Sequence, residues 1–396
     1  MKGASILQIV QNGLKLAFTA SLFYLAGASA ATLALALVLS LACAFLFFFL
    51  KNYPDVRRLP RPPHPQSGTA MLRELVPFGL TMTLLSSFWV LFQSSNQMLI
   101  GYLTEPSKAA GAIAVFSIAG NLAFVLAVFP GAVTGIFLPL ISRLYGKGAI
   151  HQMGPLAHTA QRWALFLAMP VAAAMIAFSA DALELLYGNG YAAGATAMSI
   201  IVAAFLIRSL SDTLSLSLSA TRNMRLQLRA MLVAGLSSLA LSAFLIPGFG
   251  ITGSALALFA GFGLMTILLR GYTAKMLGFG FAPGLWRILL SGALTLAVLL
   301  SIRPPALALA HGFLDACLGG LYGGKAVLMI CLAAMAAVSF ALFQLFIMAF
   351  RCLRENDLAL LIRGLRKIGV PDSAAARIRS VLAMGVEREP RGRPSG

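Results

Sequence analysis

Acidic residues are scarce in this chain: 12 aspartates and glutamates stand against 30 lysines and arginines, and charged residues fill only 11% of 396 positions. So little charge excludes the two or three soluble domains that the length alone would suggest. Cysteine is equally sparse. The four present (Cys43, Cys317, Cys331 and Cys352) show no CxxC or Cys/His spacing, so neither a disulfide framework nor a metal site is expected. The four histidines are scattered between predicted loops, and no P-loop occurs, so ATP is not spent through that motif. A membrane prenyl or sugar transferase would need clustered carboxylates to hold magnesium and a diphosphate. These too are missing. No catalytic residue and no cofactor are expected.

Apolar residues are abundant instead, at 59%, with a mean hydropathy of +0.88. Several runs reach the roughly 20 residues that a helix needs to cross the hydrocarbon layer. They are continuous, not of period two, which excludes an outer-membrane barrel. The class is therefore an all-α polytopic membrane protein with about ten transmembrane helices. The spans are predicted at about 6–27, 31–50, 75–101, 109–141, 163–180, 192–218, 228–247, 250–269, 284–302 and 325–350. The first has one lysine before it and no cleavage motif, so it reads as a span and not as a signal peptide.

A net charge of +18 would suggest nucleic acid in a soluble chain, but here the basic residues sit between spans. With the N-terminus inside, 25 of the 30 fall on the cytoplasmic side, against Lys108, Arg303 and Lys325 outside and Lys15 and Arg208 within spans. That bias predicts both termini in the cytoplasm and no nucleic-acid partner. Trp163 and Trp286 fall at predicted inner boundaries, where indole rings are at ease.

Five segments follow. Residues 1–51 hold two helices, and 52–74 form a cytoplasmic linker rich in proline and arginine (KNYPDVRRLPRPPHPQSG from Lys51 to Gly68). Six spans occupy 75–270, an additional helix pair 284–350, and a basic cytoplasmic tail 351–396. Within the tail Leu358, Leu361, Ile362, Leu365 and Ile368 recur at helical spacing among Arg354, Arg363, Arg366 and Lys367. That pattern suits either a helix lying on an anionic leaflet or a solvated tail.

Ionisable groups inside spans cost on the order of 2.5–3.5 kcal/mol to insert and so need a partner or a wet cavity. Arg208 and Asp212, four residues apart in AAFLIRSLSDTLSLS, lie on one helical face in mid-span. They read either as a cavity cation with its resting counter-ion, available to a phosphate or carboxylate, or as a self-neutralised packing pair. Trp89, Gln93, Asn96 and Gln97 share a face at i, i+4, i+7 and i+8, which fits a sugar-facing wall or interhelical hydrogen bonding. Gln8, Gln11, Asn12 and Lys15 form a similar stripe in the first span. In FPGAVTGIFLP, Pro130, Gly131 and Gly135 combine a kink with GxxxG spacing and Pro139 adds a second weak point, so a hinge and a close-packing role are both open.

Asn96 to Gly148 ends in the exit motif FLPLISRLYG (Phe137 to Gly146) and resembles the seventh and eighth spans of polysaccharide transporters in the multidrug/oligosaccharidyl-lipid/polysaccharide (MOP) flippase superfamily. DALELLYGNGYAAGA (Asp181 to Ala195) is similar to the outer loop between the family's spans nine and ten. FLIPGFGITGSALA (Phe244 to Ala257) is similar to its hinge between spans eleven and twelve. The resemblance implies a MATE/flippase-like fold of two six-helix bundles, here with a shortened N-terminal bundle that lacks about four spans. It also implies a bacterial inner-membrane flippase that moves polyprenyl-diphosphate-linked oligosaccharide by alternating access, with membrane lipids around it. A glycan polymerase, or a partner chain completing the first bundle, would be its protein partners. Asn96 stands where relatives often carry an acid, which bears on ion coupling there. The alternatives are an ion-coupled multidrug antiporter on the same fold and a non-transporting scaffold of glycan assembly.

Overall fold

The protein is described here by a computed structural model that covers residues 2–27, 29–57, 68–318 and 324–352. The linker and the tail beyond 352, including the leucine-spaced segment, lie outside the described residues. Among the described residues there are helices and turns and no strand. Seven stretches of the described residues are long and apolar enough to cross a membrane, and Gly13–Leu25 is a shorter apolar one.

The chain divides into two compact units, Met1–Pro77 and Phe78–Gly396. In the first, α1 (Lys2–Ala26) and α2 (Ala30–Arg57) pack as a hairpin. The turn is chemically explicit. Gly27 takes a left-handed conformation (φ 78), and Ser29 and Thr32 cap α2 reciprocally, the Ser29 N–H donating to Thr32 Oγ1 at 3.0 Å and the Thr32 N–H to Ser29 Oγ at 3.2 Å. Lys15 is exposed and Gln11 half-buried on α1, while the side chains of Gln8 and Asn12 lie outside the described residues.

The second unit contains most of α3 (Gly68–Leu103). It continues through α4 (Pro106–Ala123), a 3-10 turn (Phe124–Ala127) and α5 (Val128–Gly146) as one long apolar rod. The 3-10 turn precedes Pro130, whose ring crowds the carbonyl four residues back at Leu126. Then come α6 (Met153–Ala177), α7 (Ser179–Tyr187), α8 (Ala195–Ala220), α9 (Met224–Leu277), α10 (Leu285–Leu318) and α11 (Gly324–Ala349). The 54 residues of α9 are two antiparallel limbs, because Gly250 breaks the helix at φ 56, ψ −135. Ser238 Oγ donates across the pair to the Ala257 carbonyl at 2.9 Å. The IPGFG hinge expected at Ile246 to Gly250 is this corner.

Two departures from the sequence reading matter. Helix α6 begins ten residues before the expected 163, because Ala157, Ala160 and Ala164 give it a small-residue face that packs against α5. Arg162, expected in an inner loop, is therefore buried and donates to Thr159 Oγ1 at 3.3 Å, and Trp163 lies well inside the helix. The predicted outer loop at 181–195 also contains a helix, α7. Asp181 sits in its first turn, where the helix dipole favours it, and Arg303 of α10 reaches it at 2.8 Å.

Buried polar groups join the helices. The Gln161 side chain of α6 accepts from Ala282 N at 2.8 Å and donates to the Gly280 carbonyl at 3.1 Å, holding the turn into α10. Ser211 of α8 meets Thr266 of α9 at 2.6 Å, and Ser339 of α11 donates to the Pro170 carbonyl at 2.7 Å. In lipid such bonds are worth on the order of 0.6–2 kcal/mol each.

Candidate functional site

Arg208 and Asp212 occupy the middle of α8, and their side chains meet at 3.6 Å (Nε to Oδ2). Arg208 is 15% exposed and Asp212 30%. Continuing down the same face, Ser215 and Ser219 follow at i+7 and i+11, over about 16 Å at 1.5 Å per residue. Opposite them α5 presents Gly131, Thr134 and Leu138, also at helical spacing. The space between is a cleft of about 390 Å³ that reaches Gln227, near the turn into α9. Ser219 Oγ donates to Gln227 Oε1 at 3.3 Å. The Ser215 hydroxyl is buried and makes no hydrogen bond.

The other end of the cleft is closed by aromatic rings. The Arg208 guanidinium lies over Phe205 at 5.3 Å and Phe262 at 6.0 Å, and Phe124 meets Phe205 edge to face at 5.9 Å. Cation–π contacts of this kind contribute about 0.5–2 kcal/mol. Beyond Phe205 and Phe262 is a smaller pocket of about 30 Å³ edged by Asn96, Gln97, Ser117 and Asn121, with room for a water.

The amide face of α3 is thus divided. Asn96 is buried, and its Oδ1 accepts from Ser242 at 2.6 Å and Ser254 at 3.4 Å, tying α3 to both limbs of α9. Gln97 lines the small pocket. The side chains of Trp89 and Gln93 lie outside the described residues. Neither amide joins the Arg208 cleft. At the expected hinge, Pro130 is buried and Pro139 exposed, and Gly131 and Gly135 have open space where a Cβ would sit. Among the described residues no atom lies within 4 Å of a Cβ built at either glycine. Gly131 leaves room in the cleft wall. Ser215, Ser219 and Gln227 were not singled out from sequence, although the steps of three residues from Asp212 to Ser215 and four more to Ser219 were an available signal for the two serines.

Comparison with solved structures gives the fold. A structure of the lipid II flippase MurJ in an inward closed conformation superposes with a TM-score of 0.58 at 14% identity, over 84% of this chain and 65% of that one. This chain thus spans just under two thirds of the MurJ structure's length. An outward-facing multidrug resistance MATE family transporter of the MOP superfamily gives 0.44 at 14% identity, over 81% of this chain and 79% of that one. No curated protein matches the chain. In class, then, this is a multi-pass membrane protein whose fold is that of the MurJ structure. Residues 2–196 match the family model described as "Polysaccharide biosynthesis protein". That match takes in just under half of the chain.

Proposed function

We propose that the protein moves a polyprenyl-diphosphate-linked oligosaccharide across the bacterial inner membrane by alternating access, with the α5–α8 cleft as part of the head-group path. The carrying observation is the polar face of α8 from Arg208 to Ser219, a cation and successive hydrogen-bonding groups opening on one cleft. Such a face supplies what a diphosphate and a hydroxylated sugar need and a lipid tail cannot use. Bending at the Phe124–Ala127 turn and Pro130 would open and shut it, with Pro139 a second point of flexure. On α3, Trp89, Gln93 and Gln97 would extend amide and aromatic contacts to the glycan, while Asn96, buried and held by Ser242 and Ser254, fixes the helix in place. An antiporter of organic cations would want a carboxylate in the cleft without a paired cation, and Asp212 has Arg208 at 3.6 Å.

The test is reconstitution of the full chain into liposomes carrying a fluorescent polyprenyl-diphosphate-linked sugar. Protein-containing vesicles should protect or expose the label across the bilayer faster than protein-free ones. Equal rates would remove the transport reading and leave a scaffold.

The charge bias supports an orientation with both termini in the cytoplasm, in which the Gln227 end of the cleft would face that side. Tags at either end should resist external labelling of intact cells and react after permeabilisation. A labelled terminus in intact cells would reverse the orientation.

A further inference from the structure

Arg208 has one charge and two suitors. At rest Asp212 neutralises it at 3.6 Å, and the pair adds no net charge to the middle of the bilayer. An anion entering the cleft must take that guanidinium from Asp212, and the released carboxylate is then an uncompensated charge at membrane depth. Among the described residues no second cation lines the cleft. From α5 and the preceding 3-10 turn come Phe124, Gly131, Thr134 and Leu138, and from α9 comes Gln227, none of them titratable. The titratable groups brought by α6, His158 and Arg162, are engaged with Phe279 and Thr159. Arg225 and Arg229 of α9 are exposed beyond the end of α8.

We propose that binding of an anionic head group at Arg208 is accompanied by uptake of one proton on the Asp212 carboxylate, which makes the pair a proton–anion coupling site. This rests on the reading of the cleft as the head-group path. The balance is simple: the Arg208–Asp212 ion pair, an anion and one proton become an Arg208–anion pair plus a neutral carboxylic acid, so the loaded site carries one negative charge fewer than it would with Asp212 ionised. The proton comes from water in the cleft. Ser215 and Ser219 line the route from the α9 end to Asp212, and the Ser215 hydroxyl has no bond to break before it can relay. At the far end Phe205 and Phe262 close the cleft, and Arg208 itself is stacked on them. Asp212 therefore exchanges protons with one side of the membrane only in this state, which is what coupling requires. Removing Arg208 from the rings to meet an anion loosens the same barrier, so loading and opening are linked through one side chain.

The experiment is titration calorimetry of the full chain in nanodiscs with farnesyl diphosphate as probe, in two phosphate-free buffers of different ionisation enthalpy. Wild type should take up about one proton more per diphosphate than Asp212→Asn, a difference that cancels the probe's own protonation. Between about pH 6 and about pH 8 the wild-type affinity should fall with rising pH relative to that variant. Asp212→Asn, having lost the competitor, should bind about tenfold more tightly than wild type near pH 8, and Asp212→Glu should retain the proton uptake. Equal uptake in wild type and Asp212→Asn would overturn the coupling while leaving the anion site in place. Failure of wild type to bind the probe at any pH would overturn the anion site and the coupling with it.

Discussion

Replacing Arg208 with alanine should abolish surface glycan display in a strain that depends on this protein, with the chain still present in the membrane. The argument turns on separating charge from stability. Removing one partner of a fully buried ion pair costs about 3–5 kcal/mol, because the other charge is left behind. Here Asp212 is 30% exposed to the cleft, and solvent screening reduces that to roughly 1–2 kcal/mol. A loss of that size thins the folded population of a marginal protein without emptying it. The double variant Arg208→Gln, Asp212→Asn removes both charges at nearly constant volume and should restore abundance without restoring display. Display and abundance are read together, by surface glycan staining and by immunoblot of membranes. Display recovered in the double variant would show that the pair serves packing alone.

How far the site was legible in advance can be read from the same residues. The i, i+4 spacing of Arg208 and Asp212 was sufficient to put them on one face in mid-span, since only two basic residues fall within spans at all. The remainder of the cleft was not. In α8 a serine or threonine stands at every second position from Ser209 to Thr221, and in a helix that spacing scatters hydroxyls over all sides. Most of them bond to a neighbouring carbonyl or to another helix, as Ser209 does to Leu206 and Ser211 to Thr266. Only the position of α5 selects Ser215 and Ser219. The amides of α3 failed for a related reason. Their shared face was correctly periodic, yet the partners that occupy Asn96, Ser242 and Ser254, are 146 and 158 residues away. Composition also misjudged Arg162, because a cation at the edge of an apolar run looks like a loop residue until an alanine face is found to carry the helix past it. By contrast the corner at Gly250 was plain: a proline and two glycines in five residues interrupt an otherwise continuous apolar stretch.

That corner carries the second large expectation, the loss of folded protein on replacing Gly253 with alanine. The two limbs of α9 come so close that a Cβ at Gly253 would stand 2.5 Å from the Leu245 carbonyl oxygen and 2.7 Å from its carbon. Both are backbone atoms one helical turn into the facing limb, so no rotamer change relieves the contact. A second close approach eight residues on, where a Cβ at Gly261 would meet Ser238 Cβ at 2.7 Å, prevents the limbs from pivoting apart at one end only. Separation would also stretch the Ser238–Ala257 bond and the two serine bonds to Asn96. Forcing a methyl into a packed contact typically costs about 1–3 kcal/mol, and with backbone on one side and three interhelical bonds at stake the upper end applies, about 3 kcal/mol or more. Gly263→Ala is the control, since a Cβ there has no atom within 4 Å and alanine gains up to ~1 kcal/mol of helix propensity over glycine. In thermal-stability measurements by fluorescence-detected size exclusion, Gly253→Ala should run largely as aggregate, and Gly263→Ala should melt at or above wild type. Equal melting of the two variants would mean that the limbs do not meet as described, and with that the three-helix clasp on Asn96 would fall as well.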